Sequence, residues 1–357
     1  MIRTVTALLI AIVFLSTVQP SFGDDSGEGV QAIDTVVFGS CSREDQDQPL
    51  WDQIVAQNPE LFLYIGDNVY VDQPAPPQTM GDFAAAYRLL AGQPGFQRLK
   101  ATCPILATWD DHDYGLNDAG VEFPLKEGAQ QQLLTFFEEP ADSPRWRREG
   151  VYGSWAYGPM GRRLQVILLD TRYFRDPLKK NPAGRVNGRG PYVPHDEPGP
   201  NLLGAQQWAW LEGVLKQPAD VRLIGSSIQV VPSEHGWEGW CNFPYERKRL
   251  YNLVAKTGAK GVIFLSGDRH MMEISRDDSP VAPYPMIDFT SSGLNMGVSE
   301  VDEPNRFRLG EALRETNFGV IKIDWDATPR SVTLRGIGGE GQTLMEHTLP
   351  LNQLSAP

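Results

Sequence analysis

An α/β fold is what the sequence predicts, and three observations carry the prediction. Short apolar runs of four to six residues recur, helix-like stretches separate them, and several runs end in small or acidic residues. Runs of that length rich in Val, Ile, Leu and Phe read as buried strands, and strand–loop–helix alternation implies a largely parallel sheet covered on both faces. Composition agrees: the chain has 357 residues, 41% hydrophobic and 22% charged, unlike a disordered chain or a polytopic membrane protein. No low-complexity linker or internal repeat divides it.

The chain opens on a targeting segment. Arg3 is a short positive region, Val5 to Leu15 is apolar but too short to span a bilayer, and Ser21-Phe22-Gly23 offers a cleavage site before Asp24. No Cys lies near that site, which argues against a lipid anchor. The expectation is a signal peptide over 1–23 and an exported mature chain, periplasmic or extracellular, over 24–357. Thr35–Phe38 then runs into Gly39-Ser40-Cys41, with a helix over Pro49–Gln57 carrying Leu50, Ile54 and Val55 on one side. Leu61–Ile65 runs into Gly66-Asp67-Asn68 before a helix over Phe83–Leu90, and Ile105–Thr108 runs into Trp109-Asp110-Asp111-His112 before one over Gly128–Phe137. Gln165–Leu169 runs into Asp170-Thr171-Arg172, followed by a helix over Ala205–Leu215; Leu223–Gly225 runs into Ser226-Ser227, followed by one over Tyr245–Lys256. Val262–Leu265 runs into Ser266-Gly267-Asp268-Arg269-His270. The segment 277–310, rich in Pro, Gly and Asp, reads as a long loop, and Asn317–Trp325 and Ser331–Ile337 alternate as antiparallel edge or return strands.

The formal net charge is −13, which excludes a nucleic-acid scaffold because no global positive field would draw in phosphate backbones. Against that balance, eleven basic residues and three acidic ones lie from Arg145 to Arg189, either a solvated surface or an anion-attracting rim. Cys41, Cys103 and Cys241 make an odd count, so in an oxidising compartment at least one thiol stays unpaired. Either Cys103 pairs with Cys241 and the third is a buried thiol, or Cys41 does chemistry. No sequence feature sets an oligomeric state.

Position is the strongest functional signal. Cys41, Asp67, the Asp110-Asp111-His112 run and the Asp268 and His270 pair each follow a strand end, and in an open parallel sheet those ends lie along one edge, where ligands bind. Carboxylates brought that close repel one another unless cations sit between them. Asp, Asn, His, Tyr and Cys form a mixed hard and borderline ligand set. The stretch from Asp111 is not an EF-hand loop, because Gly115 and Leu116 stand where a ligand and the obligatory Gly belong. His195, His235 and His347 lack acidic strand-end company and read as structural.

These motifs resemble the alkaline phosphatase D (PhoD-like) family of metallophosphoesterases. The resemblance rests on Phe38-Gly39-Ser40-Cys41-Ser42, Ile65-Gly66-Asp67-Asn68-Val69-Tyr70, Thr108-Trp109-Asp110-Asp111-His112-Asp113 with Asn117-Asp118, Leu169-Asp170-Thr171-Arg172, Leu203-Gly204-Ala205-Gln206-Gln207-Trp208 leading into Trp210-Leu211-Glu212, and Leu265-Ser266-Gly267-Asp268-Arg269-His270, in family order. It implies a four-layer αββα sandwich of two mixed β-sheets flanked by helices, hydrolysis of phosphate mono- or diesters, and a site holding ferric iron and calcium. Carried over, Cys41, Asp67 and Tyr70 are iron ligands with Asp67 bridging, and Asp110 or Asp111, Asn117, Asp268 and His270 complete the metal site. A trivalent ion keeps thiolate and phenolate deprotonated, and carboxylate and carbonyl oxygens suit calcium.

By the same resemblance, water attacks phosphorus in line, Arg172 and Arg269 offer forked donors to the equatorial charge, and His112 is either the proton donor to the leaving group or a support for an aspartate. Arg172 has a competing structural role, pairing with Asp170 or Asp176. A β-rich domain that often precedes the Gly-Ser-Cys motif in the family is expected to be absent, and Asn68 stands where an aromatic residue is usual. An open cleft with the basic stretch 172–189 as its rim would favour a phosphodiester or phospholipid. The competing readings are a Cys41-nucleophile hydrolase using His112 or His270, and a noncatalytic metal- or phosphate-binding protein.

Overall fold

The computed structural model describes residues 31–297 and 303–356. The signal peptide expected over 1–23 lies outside the described residues. Two mixed sheets stack face to face, and helices cover their outer faces. The first sheet is built from β1 (Thr35–Gly39), β2 (Leu61–Ile65), β3 (Ile105–Thr108), β11 (Asn317–Asp324), β12 (Ser331–Gly338) and β13 (Thr343–Pro350), in the order β13-β12-β11-β1-β2-β3. The second contains β4 (Gly153–Tyr157), β5 (Leu164–Leu168), β6 (Val221–Ser226), β7 (Val262–Ser266), β8 (Met272–Asp277), β9 (Met286–Ser291) and β10 (Arg308–Leu313), in the order β10-β8-β9-β7-β6-β5-β4. The four-layer expectation therefore holds, while the single two-faced sheet implied by alternation alone does not.

The reason is legible in β2. All five of its residues are buried, so it reads as a continuous apolar run, yet its two faces meet different partners. Leu61, Leu63 and Ile65 pack into the core between the sheets, while Phe62 and Tyr64 pack under the helices α1 (Trp51–Val55), α2 (Met80–Gly92) and α3 (Pro94–Thr102). Successive side chains of a strand point to opposite faces, so a strand between a sheet and a helix layer is apolar throughout. Phe38 of β1 meets Phe289 of β9 edge to face at 5.1 Å across the sandwich. Burying each such Leu, Ile or Phe contributes about 1.5–3 kcal/mol.

Helix boundaries follow local chemistry. Thr79 and Asp82 form a capping box at the start of α2, Pro94 opens α3, and Gly258 ends α7 (Pro244–Thr257) with φ +66°. The remaining helices are α4 (Asp111–Tyr114), α5 (Lys126–Phe136) and α6 (Gly204–Leu215). One expectation is corrected and one open alternative is closed. The segment 277–310 contains β9, buried along its whole length, because Met286, Ile287 and Phe289 fill the core despite the flanking Pro and Gly. All three cysteines are free and buried: Cys103 packs with the apolar residues under the first sheet's helices, and Cys241 lies beside His235, so no disulfide joins them.

Candidate metal centre

Strands β1, β2 and β3 run parallel and end side by side. The Cys41 N–H donates to Gly66 O and the Ser42 N–H to Asp67 O, tying the first two strand ends together. The second sheet's strands end at the same edge. A Cβ on Gly267, just past β7, would lie 2.6 Å from Ser40 Oγ, 2.9 Å from Ser227 O and 3.1 Å from Ile65 O, so a glycine is required where these strand ends converge. Ser227, just past β6, donates from Oγ to Asp110 Oδ1 at 2.7 Å across the two sheets.

The side chains brought together form a chain of three ligand-competent groups. Cys41, Asp67 and His270 each offer an atom within 4.8 Å of the others; so do Asp67, Asp111 and His112; so do Asp111, Asp118 and Glu238. Asp67 is shared by the first two groups and Asp111 by the last two. Tyr70 joins the first: its hydroxyl donates to Asp67 Oδ2 at 3.1 Å and lies 3.3 Å from His270 Nε2. Cys41 Sγ is 3.4 Å from the same Asp67 oxygen. Eight non-glycine residues among those described have positive φ, and Cys41, Asp67, Asp118, Asp268 and His270 are five of them. Left-handed backbone is unfavourable for such residues and persists where the surroundings enforce it, typically at functional sites.

The three clustered aspartates separate into three jobs. Asp113 accepts from the Asp110 N–H at 2.6 Å and from the Asn68 N–H at 3.1 Å, so it braces the turn. Asn68 is buried, and its side-chain amide also donates to Thr108 O at 2.9 Å, locking the end of β2 to β3; a phenyl ring could not make that side-chain bond. Asp110 is gripped by Arg172 through Nε at 2.7 Å and through Nη2. Asp111 alone of the three belongs to the ligand groups.

Arg172 does not stand where a substrate-gripping fork was expected. It is wholly buried, and its other terminal nitrogen meets Glu238 at 2.7 Å; Arg175, equally buried, meets Glu238 at 3.0 Å. Its guanidinium is committed to Asp110 and Glu238 rather than to Asp170 or Asp176 side chains, although its backbone N–H donates to Asp170 at 2.9 Å. Burial also removes Arg145 from the basic rim, since it pairs with Glu139. Lys180, Arg185 and Arg189 remain exposed. Asn117 is exposed too, and its neighbour Asp118 turns inward to the ligand group instead. Arg269 sits at the edge, bonded to Glu303 at 2.8 Å and 3.8 Å from Asp268, with its guanidinium over the Trp237 ring.

Sequence reasoning missed Asp72, Asp118 and Glu238. Asp118 was inside a quoted motif and Asp72 is two residues beyond Tyr70, but Glu238 lies in a loop with no strand-end signal. Asp72 Oδ1 holds His112 Nδ1 at 2.7 Å, and the His112 ring stacks on Tyr70 at 4.2 Å, which leaves Nε2 as the free ring atom.

Electrostatics test whether these residues suit a metal. Burial pushes the carboxyls of Asp67, Asp110 and Asp268 well above the usual range, and their acidic neighbours add to the rise. Burial and the adjacent Asp67 likewise raise the Cys41 thiol and the Tyr70 phenol. Burial and the neighbouring Arg269 lower His270 to about 4, so it presents a neutral imidazole lone pair. Burial alone would lower His112, but Asp111, Asp67 and Asp72 outweigh it and push it up to about 11. Asp111 Oδ1 and Asp110 Oδ2 are buried with no hydrogen-bond partner. Orphaned carboxylate oxygens facing repelling neighbours are what bound cations relieve. The residues therefore fit a metal-binding cluster of Asp, His and Cys.

Comparison with known proteins agrees with this geometry. A family model described as PhoD-like phosphatase matches residues 36–317. Alkaline phosphatase D of Bacillus subtilis (strain 168) is 25% identical over 249 residues, covering 62% of this chain and 40% of that protein's length. A solved structure of PhoD superposes with TM-score 0.70 at 18% identity, over 90% of this chain and 69% of that one. The purple acid phosphatase PPD1 from yellow lupin seeds superposes with TM-score 0.59 at 14% identity, over 90% and 54%. GAP50, the anchor in the inner membrane complex of Plasmodium, superposes with TM-score 0.56 at 13% identity, over 90% of both chains. With the ordered strand-end motifs, the family match over most of its length places this chain in the PhoD-like phosphatase family.

Proposed function

We propose that the protein is an exported, metal-dependent phosphoric ester hydrolase, with a multinuclear centre of ferric iron and calcium. The observation that carries the reading is the chain of three ligand groups linked through Asp67 and Asp111. Cys41, Asp67, Tyr70 and His270 supply the sulfur, phenol, carboxylate and imidazole donors suited to iron, while Asp111, Asp118 and Glu238 supply an all-oxygen set suited to calcium. Bound there, the ions would polarise the phosphoryl oxygens and lower the pKa of water.

The protein groups do the rest. A water oxygen forms the new bond to phosphorus and gives up one proton to solvent, the P–O ester bond breaks opposite it, the departing oxygen takes a proton from His112 Nε2, and solvent returns a proton to His112. Asp72 holds the other ring nitrogen, so the imidazole is oriented for that transfer and kept protonated. Arg172 acts behind the site, positioning Asp110 and Glu238. Arg269 is the guanidinium at the edge that can meet a phosphoryl oxygen. Cys41 as a hydrolytic nucleophile is disfavoured, because burial and Asp67 hold its thiol protonated in the absence of a metal.

Turnover of p-nitrophenyl phosphate and bis-p-nitrophenyl phosphate with and without EDTA, beside metal analysis of natively purified protein, tests the reading. Activity lost with chelation and restored by metal supports it. Failure of metal-replete protein to cleave either ester sinks it. Full activity in iron-free protein removes iron from the assignment, and an intact residue 1 in secreted material removes the signal peptide.

A further inference from the structure

Beside the metal centre lies a cavity of about 540 Å³, within the range of about 300–1,000 Å³ of sites that take organic ligands, whose lining includes Asn181, Val186, Arg189, Tyr192, Val193 and Arg306. We propose that this cavity is a distal subsite for the leaving group of the ester, selective for an organic arm that carries a second anionic group. The proposal rests on the phosphoesterase reading above and adds a substrate class to it.

Two contacts join the cavity to the chemistry. Tyr192 lines it and also donates its hydroxyl to Asp118 at 2.5 Å, so one phenol ring separates the pocket from the third ligand group. The loop beneath is the one that delivers Glu238: the Gly190 and Tyr192 N–H groups donate to His235 O at 2.8 Å and Gly236 O at 2.9 Å. Trp237 of that loop carries Arg269 over its ring at 4.8 Å and Arg185 at 4.3 Å. Guanidinium groups thus continue from the edge of the metal centre, over an aromatic ring, toward the cavity. For an ester whose phosphoryl group is held at Arg269, this row of guanidinium and aromatic surface is the one that leads to the cavity.

The lining defines what the arm must be. Glu234 is its acidic residue and is already held by Arg306, through the backbone N–H at 2.8 Å and the guanidinium at 2.7 Å. Arg189, exposed on the rim, also lies within electrostatic reach of Glu234, so two guanidinium groups face one carboxylate and the lining keeps a net positive charge for an anion. Val186 and Val193 contribute apolar wall, which suits carbon between the two charges rather than free inorganic phosphate.

The test uses two substrates matched in leaving-group chemistry, hexyl phosphate and hexane-1,6-diyl bisphosphate, with the metal-replete protein. The wild-type protein should favour the bisphosphate in kcat/KM by roughly tenfold, about 1.4 kcal/mol, beyond the statistical advantage of two equivalent ends. Arg189→Ala and Arg189→Gln should collapse that ratio through KM, and because each ratio is internal to one protein a general loss of activity does not imitate the result. A wild-type ratio no greater than the statistical one, or a ratio unchanged in the variants, overturns the proposal. Turnover of neither compound, nor of p-nitrophenyl phosphate, would defeat the phosphoesterase reading instead. Calorimetry with hexane-1,6-diyl bisphosphonate then decides the subsite alone: weaker binding to Arg189→Ala supports it, and equal binding overturns it.

Discussion

The two sheets bring different chemistry to one edge of the sandwich. The segments after β1, β2 and β3 carry Cys41, Asp67, Tyr70, Asp111 and Asp118, most of the candidate ligands, together with His112. Loops after β5, β6 and β7 carry Arg172, Arg175, Ser227 and Glu238, which hold Asp110 and one another, and end with Asp268 to His270. One side gathers most of the negative charge; the other adds Glu238 and Asp268 but also supplies the buried arginines and hydrogen bonds that fix the acids in place. The lesson is that the centre is a property of the interface between sheets. Neither half closes it alone, since His270 completes the Cys41 and Asp67 group and Glu238 completes the Asp111 and Asp118 group.

Several substitutions break this division in graded ways. Asp67→Ala removes the carboxylate shared by two groups and should lower kcat/KM by on the order of a thousandfold, ~4 kcal/mol of barrier, with metal content falling in parallel. Arg172→Leu acts from the opposite sheet: it strands the buried Asp110 and weakens the hold on Glu238, and removing one partner of a buried pair costs about 3–5 kcal/mol, readable as a lower urea midpoint. Bound cations would offset part of that loss, so the deficit should be larger in EDTA than in metal-replete buffer.

Smaller effects sharpen the roles. Asp72→Asn takes away one of the carboxylates that raise His112, so the proton donor loses its proton at lower pH and the alkaline limb of the pH–rate profile should move down. The rate loss should be about 10–100-fold, as for other groups that orient a metal site from behind. An unmoved alkaline limb would remove His112 as the acid. Asn117→Ala should change stability by less than about 0.5 kcal/mol, as exposed substitutions do, and leave metal content intact, whereas Asp118→Ala should lower it.

Much of this molecule is legible in its sequence. Strands such as Leu61–Ile65 and Val262–Leu265 stand out because a buried strand is short, apolar and followed by residues that turn, and the acids after them mark the functional edge. Strand Met286–Ser291 was hidden by flanking turn residues, and the helix Pro94–Thr102 by its early Pro and Gly and its charged residues. Three neighbouring carboxylates, Asp110, Asp111 and Asp113, were indistinguishable in sequence because spacing carries no information about which way each side chain turns.

By itself, then, the sequence determined the α/β class, the positions of the strand-end acids and other candidate ligands and, through the order of their motifs, the family. Only the tertiary structure decided that two sheets rather than one meet at the site, that Arg172 is buried behind it, and that Asp118 and Glu238 lie with Asp111 while Asn117 is exposed. The physical reason is that periodicity reports which residues face an apolar layer, a local property. Pairing of a buried charge depends on partners far away in sequence, such as Arg172 with Asp110 and Glu238, and those are set by how the sheets dock.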